Sequence, residues 1–361
     1  MPSPLDVFRQ GVLDGVYPGG QLAASREGIR LASLAAGTRG PEHPKATPET
    51  LYDLASLTKP LATALLCARL LDEGRLRLEE PIIETFEKAD PRITLEHLLA
   101  HAAGCVAHKR FDLALPPAIA PGTRAAHDDI VAQAAATPLV HAPGTSTIYS
   151  DLGFIMLGGI LEARLGSSMS DALTQINSRL SSAADASSMP FFIDRRASSE
   201  GRRDDRTPRG PIAPTEDGVP LGMVHDENAR AMGGVAGHAG LFGTAEGVLA
   251  IVEAWLRAYH GQDNSLLTRA TARRFWSPTV VPGSERTPGW DRPSLNGSST
   301  GGRWPRHAVG HLGFTGTSVW VEPERALAVV LVTNRVCPTR ANEQIRALRP
   351  RLYDAAWAAW S

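Results

Sequence analysis

Ser56 and Lys59 stand three residues apart in Asp53-Leu54-Ala55-Ser56-Leu57-Thr58-Lys59-Pro60, a spacing that sets both side chains on one face of a helix. A hydroxyl and an amine so placed can share a proton. A lysine can give up its proton where an arginine cannot, and lysine is rare here: Lys45, Lys59, Lys88 and Lys109 are the only four among 37 basic residues. An ordinary lysine is neutral in roughly one molecule in 2,500 at pH 7, so a basic Lys59 needs burial or a nearby cation. With 24 serines and 4 lysines in 361 residues, chance supplies about 0.27 such pairs, and the pair draws its meaning from what surrounds it.

Pro60 lacks a backbone N–H and is tolerated near a helix start, which places Ser56 in or just before the first turn. The helix dipole there favours a developing negative charge. A counter-signal is Lys59 itself, because a residue before proline is biased away from helical angles. The apolar spacing of Leu54, Leu57, Leu61, Leu65 and Leu66 predicts a helix over 54–73, closed by Gly74. Further helices are expected over 6–16, 94–101, 152–165 and 245–259, the last after a Thr244 cap. Residues 21–25, 28–35, 317–321 and 327–333 read as strands, the last two joined by a turn at Glu322-Pro323-Glu324-Arg325. A closing helix follows, limited or bent by Pro350. Residues 181–210 are Ser/Ala-rich, then dense in Arg and Asp, and read as an exposed excursion rather than core.

The chain carries 43% hydrophobic and 21% charged residues with a net charge of -1. That is enough apolar material for a sizeable core, and too balanced a charge to attract nucleic acid or anionic lipid. Small molecules are the expected partners. Cys67, Cys105 and Cys337 are far apart and odd in number, which speaks for buried thiols rather than a disulfide framework or metal site. The first twenty residues include Asp6, Arg9 and Asp14 where a secretory signal needs an apolar stretch, so a cytoplasmic location is expected. The apolar runs at 154–161 and 326–332 are shorter than the roughly 20 residues needed to span a bilayer.

Ala55-Ser56-Leu57-Thr58-Lys59, Tyr149-Ser150-Asp151 and His311-Leu312-Gly313 occur in this order, and through them the chain resembles the serine β-lactamase, penicillin-binding protein and family VIII carboxylesterase superfamily, class C enzymes in particular. Supporting segments are 98–104, Pro143-Gly144-Thr145 and 237–245, so the resemblance spans nearly the whole chain. It implies an α+β fold of three layers, an antiparallel sheet flanked by helices with a helical insert. The whole chain, 1–361, would be one catalytic domain, with a sheet-containing lobe of about 1–60 and 235–361 and a mainly helical lobe of about 61–234. By the same resemblance Ser56 is the acylated nucleophile, Lys59 its proton partner, and Tyr149 the phenol that relays protons. The backbone N–H groups of Ser56 and Phe314 would form the oxyanion hole, and Asp151, His311 and Gly313 would contact substrate. No cofactor and no metal are implied.

Two departures shape the expected substrate. Many relatives have Asn where this chain has Asp151, and a carboxylate beside Lys59 holds the lysine protonated and shifts the base role toward Tyr149. Many β-lactamases have Lys-Thr-Gly where this chain has His311-Leu312-Gly313, so the cation and hydroxyl that grip a β-lactam carboxylate are missing from the motif. A small ester or amide is the expected substrate, with carboxylesterase activity foremost and β-lactamase or D-amino-acid peptidase activity as the alternative. A member of the fold that only binds a ligand or partner is the reading of another class, and the three occupied reactive positions argue against it. Gly297-Ser298-Ser299-Thr300-Gly301 matches a nucleophile elbow in letters but lacks the strand before and the helix after it. His225-Asp226-Glu227-Asn228 lacks the spacing of a metal site and reads as a polar loop near the pocket.

Overall fold

The computed structural model describes residues 2–180, 187–196, 210–262, 266–279, 281 and 284–361. Ten strands are found among them: β1 (Gly19–Arg26), β2 (Ile29–Gly37), β3 (Tyr52–Asp53), β4 (Phe191–Phe192), β5 (Leu241–Gly243), β6 (Arg286–Thr287), β7 (Trp290–Asp291), β8 (Val309–Leu312), β9 (Ser318–Glu322) and β10 (Leu327–Thr333). Seven form an antiparallel sheet in the order β2-β1-β10-β9-β8-β7-β6, and β3, β5 and β4 form a small second sheet.

An interior strand shows why three layers form. Along β10, Leu327, Val329 and Leu331 enter one apolar cluster and Ala328, Val330 and Val332 another, because successive side chains on a strand face opposite sides. A strand buried on both faces reads as a continuous apolar run. On one face lie the helices Pro4–Leu13 and Ile345–Trp360, contributing Phe8, Leu348, Leu352 and Tyr353. On the other lies the helix Ala245–Tyr259 with Leu249, Val252 and Trp255, continuous with the core of the helical middle of the chain. The fold is the expected one: mixed helix and antiparallel sheet.

Most expected elements form with shifted ends. The first helix starts at Pro4, capped by Ser3 in a reciprocal bond with Asp6, and the helix at Leu95–Leu99 is capped by Thr94. Ala245–Tyr259 and β10 have the expected bounds. The helices Arg124–Ala135, Met169–Leu180 and Arg269–Phe275 were not anticipated. Pro350 sits inside the last helix, which continues past it to Trp360. The expected excursion over 181–210 is corrected in part: Met189, Phe192, Asp194 and Arg196 are buried, because β4 pairs with β5 and Arg196 joins Glu162 at 3.1 Å. Residues 181–186 and 197–209 lie outside the described residues. Among the described residues no helix is long and apolar enough to cross a membrane.

Candidate active site

Ser56 lies on a turn that the chain forms under strain. Ala55 before it has φ 48°, the left-handed region that a residue with a Cβ enters at a cost. What holds it there is Asp53, whose buried carboxylate accepts the Ala55 N–H at 2.8 Å and the His225 N–H at 2.7 Å. Burial raises the Asp53 carboxyl above its ordinary range, and these two backbone donors and His225 act against that rise without cancelling it. From Ala55 the chain makes a 3₁₀ turn, then a π-helical segment at Lys59–Ala64, then an α-helix over Leu65–Asp72. The wider π turn accommodates Pro60 one residue after Lys59, which reconciles the proline with a continuing helix.

Lys59 is fully buried. Its Nζ donates to Ser56 Oγ at 3.0 Å, to Asp151 Oδ1 at 2.9 Å and to the His238 carbonyl at 3.2 Å, and lies 4.8 Å from the centre of the Tyr149 ring. The His238 carbonyl gets that close because Gly237 lies directly on the helix Asp151–Leu165, where a Cβ would fall 2.0 Å from the Phe154 carbonyl. Burial alone lowers a lysine pKa; here the Asp151 carboxylate, with Tyr149, outweighs it and raises Lys59 above its ordinary value. Asp151 is shifted oppositely. Burial raises its carboxyl, but the Lys59 ammonium and a hydrogen bond with His108 Nδ1 at 3.0 Å hold it well below the usual range. The resting pair is therefore ionised, as the Asp in place of Asn led one to expect.

Tyr149 and Asp151 come from a distant segment, and local bonds deliver them. Ser150 caps the helix Asp151–Leu165 by accepting the Leu152 N–H, its own hydroxyl donates to Val106 O, and its N–H donates to His101 Nδ1 at 3.0 Å. Asp151 thus sits in the first helical turn, where a carboxylate is favoured. Burial raises the Tyr149 phenol; the Lys59 charge and hydrogen bonding from Lys59 and Ser56 act against that rise without cancelling it. The Arg286 guanidinium stacks over the same ring at 5.2 Å and pairs with Asp291.

The third element approaches along β8. His311 is 1% exposed, bonds its own chain through Nδ1 to Leu312 O at 2.9 Å, and leaves Nε2 without a partner. Burial lowers its pKa to about 4, so it is neutral at pH 7. The turn after it is sewn to the nucleophile turn: Thr315 Oγ1 donates to Asp53 O at 2.7 Å and Thr317 Oγ1 to Leu54 O at 3.1 Å. Gly313 fits there because it has no Cβ; one would meet Thr317 Oγ1 at 1.9 Å and Leu54 O at 2.7 Å. Among the described residues the backbone bonds of the turns and loops include none donated by the Ser56 or Phe314 N–H.

Ser56, Tyr149, Asp151, His311, Gly313 and Phe314 all line one cleft of about 560 Å³. Every site residue expected from the sequence is thus in one place or, for Lys59, directly beneath it. His225, Asp226 and Glu227 form part of the wall, whereas Ser298 bonds Thr300 in a surface loop and lies outside the cleft. Sequence reasoning missed Asp53, His108, Arg286, Arg335 and Arg349. Asp53 could have been suspected from its place beside the motif. The others come from segments whose proximity only the fold creates.

A Beta-lactamase family profile matches residues 6–352. The chain belongs to that family. As a Beta-lactamase family member it is 28% identical over 315 residues to the "Putative D-alanyl-D-alanine carboxypeptidase" of Escherichia coli O157:H7, covering 81% of this chain and 70% of that one. It is 27% identical to the N-acetylmuramyl-L-alanine amidase of Bacillus subtilis strain 168, over 88% of this chain and 77% of the relative. Among solved structures, EstCE1, a hydrolase with promiscuous acyltransferase activity, superposes with a TM-score of 0.74 at 19% identity, covering 98% and 97% of the two chains. The chain is a hydrolase of the serine β-lactamase and penicillin-binding protein fold.

Proposed function

We propose that this protein hydrolyses a small ester or amide through an acyl-enzyme on Ser56. The observation that carries the reading is the contact of Ser56 Oγ with a buried lysine at the floor of an open cleft, 3.0 Å away. Because Asp151 keeps Lys59 an ammonium, the lysine acts as a donor that stabilises developing charge on Oγ rather than as the resting base. The Tyr149 phenol then relays the proton: it receives the Ser56 hydrogen as its own passes to the leaving oxygen or nitrogen. Oγ bonds to the carbonyl carbon, the negative charge moves to the carbonyl oxygen between the Ser56 and Phe314 N–H groups, and its return expels the leaving group. In deacylation water takes the place of the leaving group and the relay runs back to Ser56.

An ester is favoured because the strand facing the nucleophile carries His311, neutral at pH 7, where a β-lactam carboxylate would need a cation. One observation favours the amide reading. Arg335 lines the cleft and donates to the carbonyls of Phe314, Arg340 and Asn342, with no carboxylate partner among the described residues. A guanidinium so placed suits a carboxylate-bearing D-amino-acid peptide, in keeping with the carboxypeptidase and amidase names of the relatives. Turnover of p-nitrophenyl acetate, p-nitrophenyl butyrate, nitrocefin and a D-alanyl-D-alanine peptide separates the readings. Ester hydrolysis that exceeds the other activities and disappears in S56A is the expected result; peptide cleavage alone moves the assignment to the amide, and no turnover of any of them defeats the reading.

A further inference from the structure

We infer that Arg349 is a positioning residue for the oxyanion donor at Phe314, an inference that rests on the acyl-transfer reading above. Arg349 belongs to the helix Ile345–Trp360, is 7% exposed at the wall of the cleft, and reaches the turn after β8. One terminal nitrogen donates both to Gly313 O at 3.0 Å and to Thr317 O at 2.7 Å. Its Nε has no partner, and no carboxylate pairs with it among the described residues. Burial accordingly lowers its pKa to about 10. A buried guanidinium spent on two carbonyls and balanced by no anion is an expensive way to hold a turn that its own Gly316 N–H to Gly313 O bond already closes at 3.1 Å.

The peptide unit explains the arrangement. In a trans peptide the C=O of one residue and the N–H of the next point to opposite sides, so fixing the Gly313 carbonyl fixes the direction of the Phe314 N–H. A cation on the carbonyl oxygen also polarises the unit and strengthens that N–H as a donor. Arg335 repeats the device one peptide later, its Nε donating to Phe314 O at 2.8 Å. Arg349 therefore acts through the backbone on charge that develops only in the transition state, which raises kcat and leaves ground-state affinity alone.

The test uses an uncharged substrate, so that recognition of a substrate carboxylate cannot contribute. With p-nitrophenyl butyrate, R349M lowers kcat by about tenfold to a hundredfold with KM within about twofold of wild type. Affinity for phenylboronic acid, which forms a tetrahedral adduct, falls by a similar factor. R349K, which keeps a charged donor, recovers part of both. R349Q replaces R349M if near-ultraviolet circular dichroism shows the methionine variant unfolded. A folded R349M or R349Q with wild-type kcat and boronate affinity, or with a loss confined to KM, overturns the inference. Absence of ester turnover by the wild-type protein instead counts against the acyl-transfer reading itself.

Discussion

Lys59 and Asp151 exchange one question for another: a lysine next to the nucleophile is useful as a base when neutral, and this one is held charged. The sign of the coupling fixes a prediction. Asp151 raises the Lys59 pKa, so removing its charge lowers it. D151N should therefore bring the alkaline limb of the kcat/KM profile, where the Lys59 ammonium loses its proton, to lower pH; a limb that stays in place, measured with p-nitrophenyl butyrate between pH 7 and 11, contradicts the pairing. The phenol gives the complementary case. Y149F keeps the ring that packs against His101 at 4.6 Å but cannot pass a proton, and should cost about 10² to 10⁴ in kcat, read by stopped-flow acylation. A variant within threefold of wild type removes Tyr149 from the relay.

Three short elements position these groups: the strained turn at Ala55, the capped start of the helix Asp151–Leu165, and the turn after β8. Asp53 ties the first to the wall at His225. D53A strands two buried N–H groups and should destabilise the fold by about 1 to 3 kcal/mol, seen as a lower denaturant midpoint with kcat falling as well; unchanged values of both would mean that the turn holds itself. The helices and strands were legible in the sequence where one signal dominated, the helical spacing of 245–259 and the continuous apolar run of β10. Lys59, Tyr149, Asp151 and His311 were legible through their motifs. The bracing residues were not: His108 lies 43 residues from Asp151, and Arg349 lies 36 from Gly313 on a helix that reads as ordinary packing. Nothing local marks a side chain whose partner is chosen by tertiary contact. The same reason hid the burial of Met189, Phe192, Asp194 and Arg196, in a segment held by the pairing of β4 with β5.

At the scale of the whole molecule the sheet is packed on both faces, and the cleft opens where the turn after β8 and the helical middle of the chain meet. Burial there makes the fold sensitive to acid. His311 has a folded pKa near 4 and His101 is also lowered by burial, so between about pH 6.5 and pH 4 the unfolded chain binds more protons than the folded one. Stability is full above the ordinary histidine range and falls as pH drops toward 4. The Tm should decline through that window, and H311Q should flatten the decline; an identical slope for both proteins would exclude His311 as a source. All of this presupposes one reactive hydroxyl, and the most direct check is covalent. Treating the folded protein with a fluorophosphonate and mapping the adduct by mass spectrometry should place a single label on Ser56, with none in S56A. A folded protein that takes no label, or takes it at another serine, contradicts the account.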